Sequence, residues 1–302
     1  MFLKLADLRR VWWMPALVLC LWLLAAGAAW AGHGPQAAPR KAILLVTFGT
    51  SVPEAQRAFQ AIKAATRARF PGVEVRWAYT ARMIRHKLAQ RGQTIPSPQQ
   101  ALANLSEDGF RLVAAQSLHV IPGEEYEGLV DTARRLAGLP KGLKRVEVGH
   151  PLLWSAEDMQ RVAKAMLAHA PGERRPGEAL LLMGHGTSHP ANAAYPAMAY
   201  VFQRLDPNVF LATVEGYPSL DMVRQDLLAR KVKKAYLIPF MSVAGDHALN
   251  DLAGDEPESW RSQLSQAGVA CQPVLTGMAE YPEIVQIWLD HLQSAWDRLG
   301  KE

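Results

Sequence analysis

The sequence has few cysteines and no strong excess of charge, and both shortages limit what the protein can be. Only two of the 302 residues are cysteine, Cys20 and Cys271, so a disulfide-stabilised scaffold is excluded. The formal net charge is only +5, and the basic residues form no block of the kind that binds nucleic acid. With 49% hydrophobic and 20% charged residues, the composition is that of a globular protein.

Motifs for nucleotide binding and for serine hydrolysis are also missing. No G-x-x-x-x-G-K-[ST] loop occurs, and no G-x-G-x-x-G follows an apolar run. The segment 184–188 (GHGTS) has a histidine where the nucleophile of a G-x-S-x-G elbow would stand. The sequence therefore favours chemistry without a nucleotide cofactor.

Residues 1–31 have the pattern of an export signal. Three basic residues precede an apolar run over 11–24, and Ala-x-Ala cleavage sites follow at 26–28 and 29–31. We predict a cleaved signal peptide, a short leader over 32–40, and a periplasmic protein that is not stably inserted in a membrane after cleavage. An uncleaved membrane anchor is the alternative, because the apolar stretch is nearly long enough to span a bilayer.

The rest of the chain contains an internal duplication. Lys41–Ser51 (KAILLVTFGTS) reappears as Glu178–Ser188 (EALLLMGHGTS), and each copy is an apolar run that ends in Gly-Thr-Ser. Such runs are typical of parallel strands buried on both faces, and helical segments alternate with them.

We predict an α/β protein of two similar lobes, 41–172 and 173–302. Each lobe is a parallel four-stranded sheet flanked by helices, and a cleft lies between the lobes. A polar segment rich in Pro and Gly over 170–177 serves as the linker.

The remaining predicted elements follow each copy in the same order. The predicted strands are 73–79, 112–118 and 146–153 in the first lobe, and 209–214, 235–241 and 269–275 in the second. The most clearly patterned helices are 53–70, 156–169 and 282–299.

Residues able to bind a metal follow three successive strands of the second lobe. His185 ends the first strand, Glu215 follows the second, and His247 follows the third. Because the carboxyl ends of parallel strands share one edge and neighbouring strands lie about 4.8 Å apart, these side chains can meet. Two imidazoles and a carboxylate suit a divalent transition metal. We predict a metal site there, although a lone histidine at a strand end is more often structural than a ligand.

The first lobe lacks these ligands at the corresponding places. Phe48 stands where the second copy has His185, and Thr80 falls near the place of the glutamate. Glu124 and Glu125 align loosely with the histidine segment after the third strand, and they can accept or relay protons. We therefore expect a cleft with a metal on one wall and an organic ligand gripped by the other.

The first lobe also carries a basic segment after its second strand. Arg82, Arg85 and Lys87 bring positive charge to this place. Two interpretations are open: a binding surface for an acidic ligand, or a solvent-exposed basic face of a helix.

These motifs together resemble a known family. The tandem lobes with Gly-His-Gly-Thr-Ser, Val-Glu-Gly-Tyr-Pro-Ser and Gly-Asp-His-Ala-Leu-Asn-Asp are similar to the class II chelatases, and within them to the anaerobic cobalt chelatases of cobalamin synthesis, the CbiK type. The likeness spans residues 41–300. It implies ATP-independent insertion of Co2+ into sirohydrochlorin, with Fe2+ as a second metal that would give sirohaem. Members of the family typically work in the cytoplasm, so the export signal is a departure.

The resemblance also implies roles for single residues. It implies that His185, His247 and Glu215 form the metal site, and that either Glu124 or Glu125 is the acidic residue of the cleft. By the same resemblance the substrate carries eight carboxylates, and Arg82, Arg85 and Lys87 would orient it.

Metal insertion requires removal of water from the cation and of two protons from pyrrole nitrogens. Neutral imidazole can perform either task, and we hypothesise that His185 takes a pyrrole proton. The alternatives are an exported carrier of haem or another tetrapyrrole, or a metal-capture protein that feeds a transporter. The residues do not discriminate between Co2+ and Fe2+, do not establish haem binding, and specify no oligomeric state.

Overall fold

Strands form where the sequence repeats its apolar runs. The computed structural model describes residues 38–301, so the predicted signal peptide and most of the leader lie outside the described residues. The two copies of the repeat form β1 (Lys41–Thr47) and β5 (Ala179–Gly184). Nearly every residue of both strands is buried, as expected for central strands of parallel sheets covered on both faces.

Each half of the chain contributes one sheet of four parallel strands. The strand orders are β2-β1-β3-β4 and β6-β5-β7-β8, so the two sheets have the same topology. This confirms the predicted α/β fold of two similar four-stranded units. The remaining strands are β2 (Glu74–Tyr79), β3 (Leu112–Ser117), β4 (Arg145–Gly149), β6 (Val209–Thr213), β7 (Lys234–Pro239) and β8 (Ala270–Pro273).

Helices connect the strands and cover the sheets. The helices are α1 (Pro53–Arg69), α2 (Arg82–Gln90), α3 (Pro98–Glu107), α4 (Glu124–Leu136), α5 (Ala156–Ala168), α6 (Ala194–Leu205), α7 (Leu220–Ala229), α8 (Trp260–Gln266) and α9 (Pro282–Arg298). Three short helical turns are Pro190–Ala193, Ala248–Leu252 and Met278–Glu280. Across residues 38–301, none of the helices has both the length and the apolar character that crossing a bilayer requires.

Three of the predicted strands are too long by two or more residues at their carboxyl ends. They end at Gly149, Pro239 and Pro273 rather than at 153, 241 and 275. Proline has no N–H to donate to a strand ladder. A proline is the last residue of β7 and of β8, and Pro151 follows β4 by two residues. The chain turns there, and the backbone N–H of Leu152 donates to a carbonyl outside the strands instead. The three predicted helices are correct to within one residue.

The last helix packs on the sheet of the opposite half. α9 lies against β3 and β4 of the first sheet. Arg298 on this helix forms an ion pair of 2.8 Å with Glu147 on β4, and His291 donates from Nδ1 to the His150 carbonyl oxygen at 3.1 Å. Both sheets belong to one compact unit that begins at Arg40. The division into lobes 41–172 and 173–302 stays a prediction.

Candidate metal and substrate site

His185 directly follows β5, in a loop that requires glycine. Gly186 has φ +80°, and a Cβ at this position would overlap with the carbonyl oxygen of Glu215. Nδ1 of His185 lies 2.9 Å from the Gly186 carbonyl oxygen. Because a carbonyl only accepts, Nδ1 carries the proton and Nε2 of the neutral ring keeps its lone pair. His185 can therefore bind a cation or accept a proton through Nε2.

His247 follows β7 and stands immediately before the short helical turn Ala248–Leu252. Its Nδ1 lies 2.5 Å from Oδ2 of Asp251. The carboxylate accepts this hydrogen bond, which places the proton on Nδ1 and leaves Nε2 as the ligand atom. The ring is about two-fifths exposed, so it remains accessible from solvent.

The two imidazoles lie next to each other. The ring centroids of His185 and His247 are 4.8 Å apart, with the ring planes at 87°. Metal–nitrogen bonds of about 2.0–2.1 Å make this separation compatible with one shared ion. The structure brings the histidines that follow β5 and β7 together, and their role as metal ligands stays a prediction.

Glu215 approaches this pair through its backbone. Its N–H donates to the carbonyl oxygen of His185 at 2.8 Å, but its side chain is exposed. In the part of the chain that the structure describes, no three His, Cys, Asp or Glu side chains are grouped so as to hold a metal ion. The three-ligand set of His185, Glu215 and His247 therefore stays a prediction for the metal-bound state.

The first half presents different side chains at the equivalent positions. Phe48 is the repeat partner of His185, and it is 42% exposed. The backbone N–H of Ala81 donates to the Phe48 carbonyl oxygen at 3.2 Å, as that of Glu215 does to His185. Ala81 is thus the equivalent of Glu215, one residue after Thr80, which the sequence places near that position. Apolar runs alone do not fix where a strand ends, so the sequence locates the equivalent only approximately.

Strand register also decides which acidic residue matches His247. Val46 pairs with Ser117 as Met183, its repeat partner, pairs with Pro239. Counting eight residues onward from Ser117 and Pro239 gives Glu125 and His247. The backbone hydrogen bonds support this correspondence. In both halves, the N–H groups three and four residues after a glycine, Gly123 or Gly245, donate to the carbonyl oxygen of that glycine.

The exposure of the two neighbouring glutamates differs. Glu125 is half-buried, whereas Glu124, which corresponds to Asp246, is exposed. The sequence left these two residues as equal candidates for the acidic residue of the cleft. Register and burial both favour Glu125.

The predicted basic residues lie on α2, close to the second half. Lys87 Nζ is 3.4 Å from Oδ2 of Asp246, the residue before His247. Within residues 38–301, Arg82 and Arg85 form no ion pair. The helix therefore brings Lys87 next to the residue that precedes His247, and within residues 38–301 two of its guanidinium groups have no carboxylate partner.

Comparison with known proteins assigns the family. The family model described as "Cobalt chelatase (CbiK)" matches residues 41–297. The chain belongs to the cobalt chelatase (CbiK) family. This confirms the resemblance inferred from the motifs.

Two curated relatives and one solved structure illustrate the likeness. The CbiK-family chain is 43% identical over 256 residues to the sirohydrochlorin cobaltochelatase CbiKC of Nitratidesulfovibrio vulgaris, covering 85% of this chain and 90% of the relative. It is 38% identical over 267 residues to the sirohydrochlorin cobaltochelatase of Salmonella typhimurium, covering 87% and 99%. SirB from Bacillus subtilis with Fe3+ superposes with a TM-score of 0.57 at 16% identity, covering 87% of this chain and 98% of SirB. The last likeness concerns the fold alone.

Three further histidines of this CbiK-family chain serve other contacts. His119 lies 2.9 Å from Ser117 Oγ through Nδ1, and burial lowers its pKa to about 4. His150 stacks on Trp154 with ring centroids 3.9 Å apart, and burial lowers its pKa also to about 4. His189 Nδ1 accepts a hydrogen bond from the backbone and Nε2 lies 3.4 Å from Glu127.

Some residues of the site were missed by the sequence motifs. Asp251 was not singled out, although its spacing of four residues from His247 is the signal that would have found it. Tyr195 on α6 supports the His185 loop, because its ring lies where a Cβ of Gly184 would stand. Burial raises the pKa of Tyr195 to about 12. No sequence pattern marks Tyr195 as a neighbour of that loop.

Proposed function

We propose that this chain inserts Co2+ into sirohydrochlorin without a nucleotide, as a sirohydrochlorin cobaltochelatase. The observation that carries the proposal is the adjacent pair of His185 and His247, whose tautomers leave both Nε2 atoms free. Membership of the cobalt chelatase family and the names of the two curated relatives support the same activity. They do not favour the carrier and metal-capture alternatives. Fe2+ is a second metal that this ligand set would accept.

The metal would bind first to the two imidazoles. Nε2 of His185 and of His247 would replace part of the water shell of Co2+, and the carboxylate of Glu215 would complete the set. The Glu215 backbone is already hydrogen-bonded to His185, so only its side chain must turn. Three protein ligands would leave coordination positions open for the pyrrole nitrogens.

Two groups are available to remove the pyrrole protons. His185 Nε2 would accept a pyrrole proton as the ion passes from this nitrogen to the macrocycle. Glu125 corresponds by register to His247, so it would face the macrocycle from the first half. Together an imidazole and a carboxylate would accept the two protons that metallation releases.

The basic face of α2 would orient the substrate. Arg82 and Arg85 are free to bind carboxylates, and Arg forms bidentate contacts with them. Lys87 would exchange its contact with Asp246 for a substrate carboxylate. The exposed ring of Phe48 would supply apolar surface against the macrocycle plane.

A metallation assay tests the proposal. Purified full-length protein, anaerobic sirohydrochlorin and Co2+ are mixed without ATP, and the absorbance change of the macrocycle is followed. We expect insertion well above the rate without protein, and its loss in His185→Ala. His169→Gln is the control, because His169 ends α5 and contacts Glu283 instead.

A His185→Ala protein that metallates sirohydrochlorin at the wild-type rate would contradict the role of His185. A wild-type protein that does not metallate the macrocycle but shows a Soret band as purified would contradict the proposed function and indicate a haem carrier.

We also propose that the chain is exported to the periplasm with removal of its signal peptide. The basic start, the apolar run over 11–24 and the Ala-x-Ala sites support this. Fractionation of the native host and N-terminal sequencing test it. We expect a periplasmic protein that begins after Ala28 or Ala31. Full-length protein in the membrane fraction would indicate an uncleaved anchor instead.

A further inference from the structure

A carboxylate stands behind one of the two imidazoles of the site. Oδ2 of Asp251 lies 2.5 Å from Nδ1 of His247, one helical turn further along the chain. Both side chains are about two-fifths exposed. Within residues 38–301, this is the only side-chain hydrogen bond or ion pair of Asp251. Its carboxylate therefore stabilises no other part of the fold.

The other half of the duplicated fold has no such carboxylate. Glu125 corresponds to His247, and the residue four positions after Glu125 is Leu129. Leu129 is 1% exposed and belongs to the apolar core. The residue four positions onward is thus a carboxylate after the histidine and a core leucine after the glutamate.

We propose that Asp251 is a positioning residue for metal binding, acting through His247. The carboxylate holds the proton on Nδ1, directs Nε2 to the ion and makes the imidazole a stronger ligand. The inference rests on the proposed function only in the identity of the ion. It predicts that Asp251 governs the affinity for Co2+ and not the affinity for the tetrapyrrole.

The first experiment is a Co2+ titration of full-length protein without tetrapyrrole, by calorimetry and visible absorption. We expect Asp251→Ala to weaken Co2+ binding about 10- to 100-fold. Asp251→Asn should fall between wild type and Asp251→Ala, because its amide oxygen still accepts from Nδ1. Asp297→Ala is the matched control, since Asp297 accepts from Gln293 four residues earlier on α9. It should bind Co2+ like wild type.

A double-mutant cycle distinguishes positioning from general stability. In a His247→Ala background, Asp251→Ala should cause no further loss of Co2+ affinity. An additional tenfold loss in that background would overturn the proposal, as would Co2+ binding by the single variant within twofold of wild type.

Steady-state kinetics separate this proposal from the proposed function. In the variants, KM for Co2+ should rise while KM for sirohydrochlorin stays constant. If Asp251→Ala weakens Co2+ binding but even the wild type fails to metallate sirohydrochlorin, Asp251 keeps its role and the proposed function fails. A rise of both KM values together would overturn the positioning role.

Discussion

The ring centroids of Phe48 and His185 lie 6.2 Å apart with the ring planes tilted by 46°, and the two residues occupy the same position in the two copies of the repeat. One copy has an imidazole there and the other has an exposed phenyl ring. The duplication has thus brought two side chains of different chemistry next to each other. A planar macrocycle that receives a metal needs a polar side for the ion and an apolar side for its ring.

Removal of the Phe48 ring should weaken binding of the tetrapyrrole. Burial of a phenyl ring against a ligand contributes roughly 1.5–2 kcal/mol, so Phe48→Ala should raise KM for sirohydrochlorin about 10- to 30-fold. Co2+ affinity should not change, because the ring offers no ligand atom. Steady-state kinetics measure both. Leu139→Ala, at a 51% exposed residue before β4, is the control, and equal KM values in the two variants would contradict the role of Phe48.

Substitution of the two neighbouring glutamates should have unequal effects. Glu125 is the half-buried equivalent of His247, and Glu124 is exposed. If Glu125 accepts a proton during metallation, Glu125→Gln should lower kcat by about 100-fold or more. Glu124→Gln should remain within twofold of wild type. Single-turnover metallation with both variants decides this, and the reverse order of effects would assign the role to Glu124.

The loop that holds His185 should not tolerate a side chain at Gly186. A Cβ there would overlap with the Glu215 carbonyl oxygen. Gly72→Ala is the matched control, because Gly72 also has positive φ, +77°, but no atom within 4 Å of the added Cβ. The control should lose only about 1–2 kcal/mol from its strained backbone.

Gly186→Ala should therefore lose about 1–3 kcal/mol more than the control. Urea denaturation measures the free energy of unfolding of both variants, and the metallation assay should show lost activity only for Gly186→Ala. Equal destabilisation would indicate that the loop can move away from Glu215.

The fold was largely predictable from the sequence because buried parallel strands leave continuous apolar runs. The two copies that became β1 and β5 are examples. The placement of α9 on the first sheet was not predictable, since its amphipathic pattern is the same whichever sheet it covers. An apolar stripe specifies that a helix is buried, not which surface buries it.

The site was predictable in part. Strand ends placed His185 and His247 together, because parallel strands fix where their carboxyl ends lie. The direction of the Glu215 side chain depends on the following loop, where Gly216 has φ +96°. Spacing along the sequence does not encode that direction. The choice of Glu125 over Glu124 needed the register of β3 and β7. An error of one residue in a strand boundary would reverse that choice.

His119 should make the stability of the protein depend on pH. Its ring contacts Ser117 Oγ at 2.9 Å, and burial lowers its pKa to about 4, below the value of about 6.5 in an unfolded chain. The unfolded state therefore binds more protons between pH 4 and 6.5. The free energy of unfolding should fall as the pH falls through this range, by at most about 3 kcal/mol from this group. Urea denaturation at several pH values measures how steeply the free energy of unfolding depends on pH.

His119→Gln should flatten this pH dependence below pH 6.5. It should leave the dependence unchanged between pH 7 and 9, where the imidazole is neutral in both states. Identical slopes for the two proteins from pH 4 to 6.5 would show that the ring is protonated without cost in the folded chain.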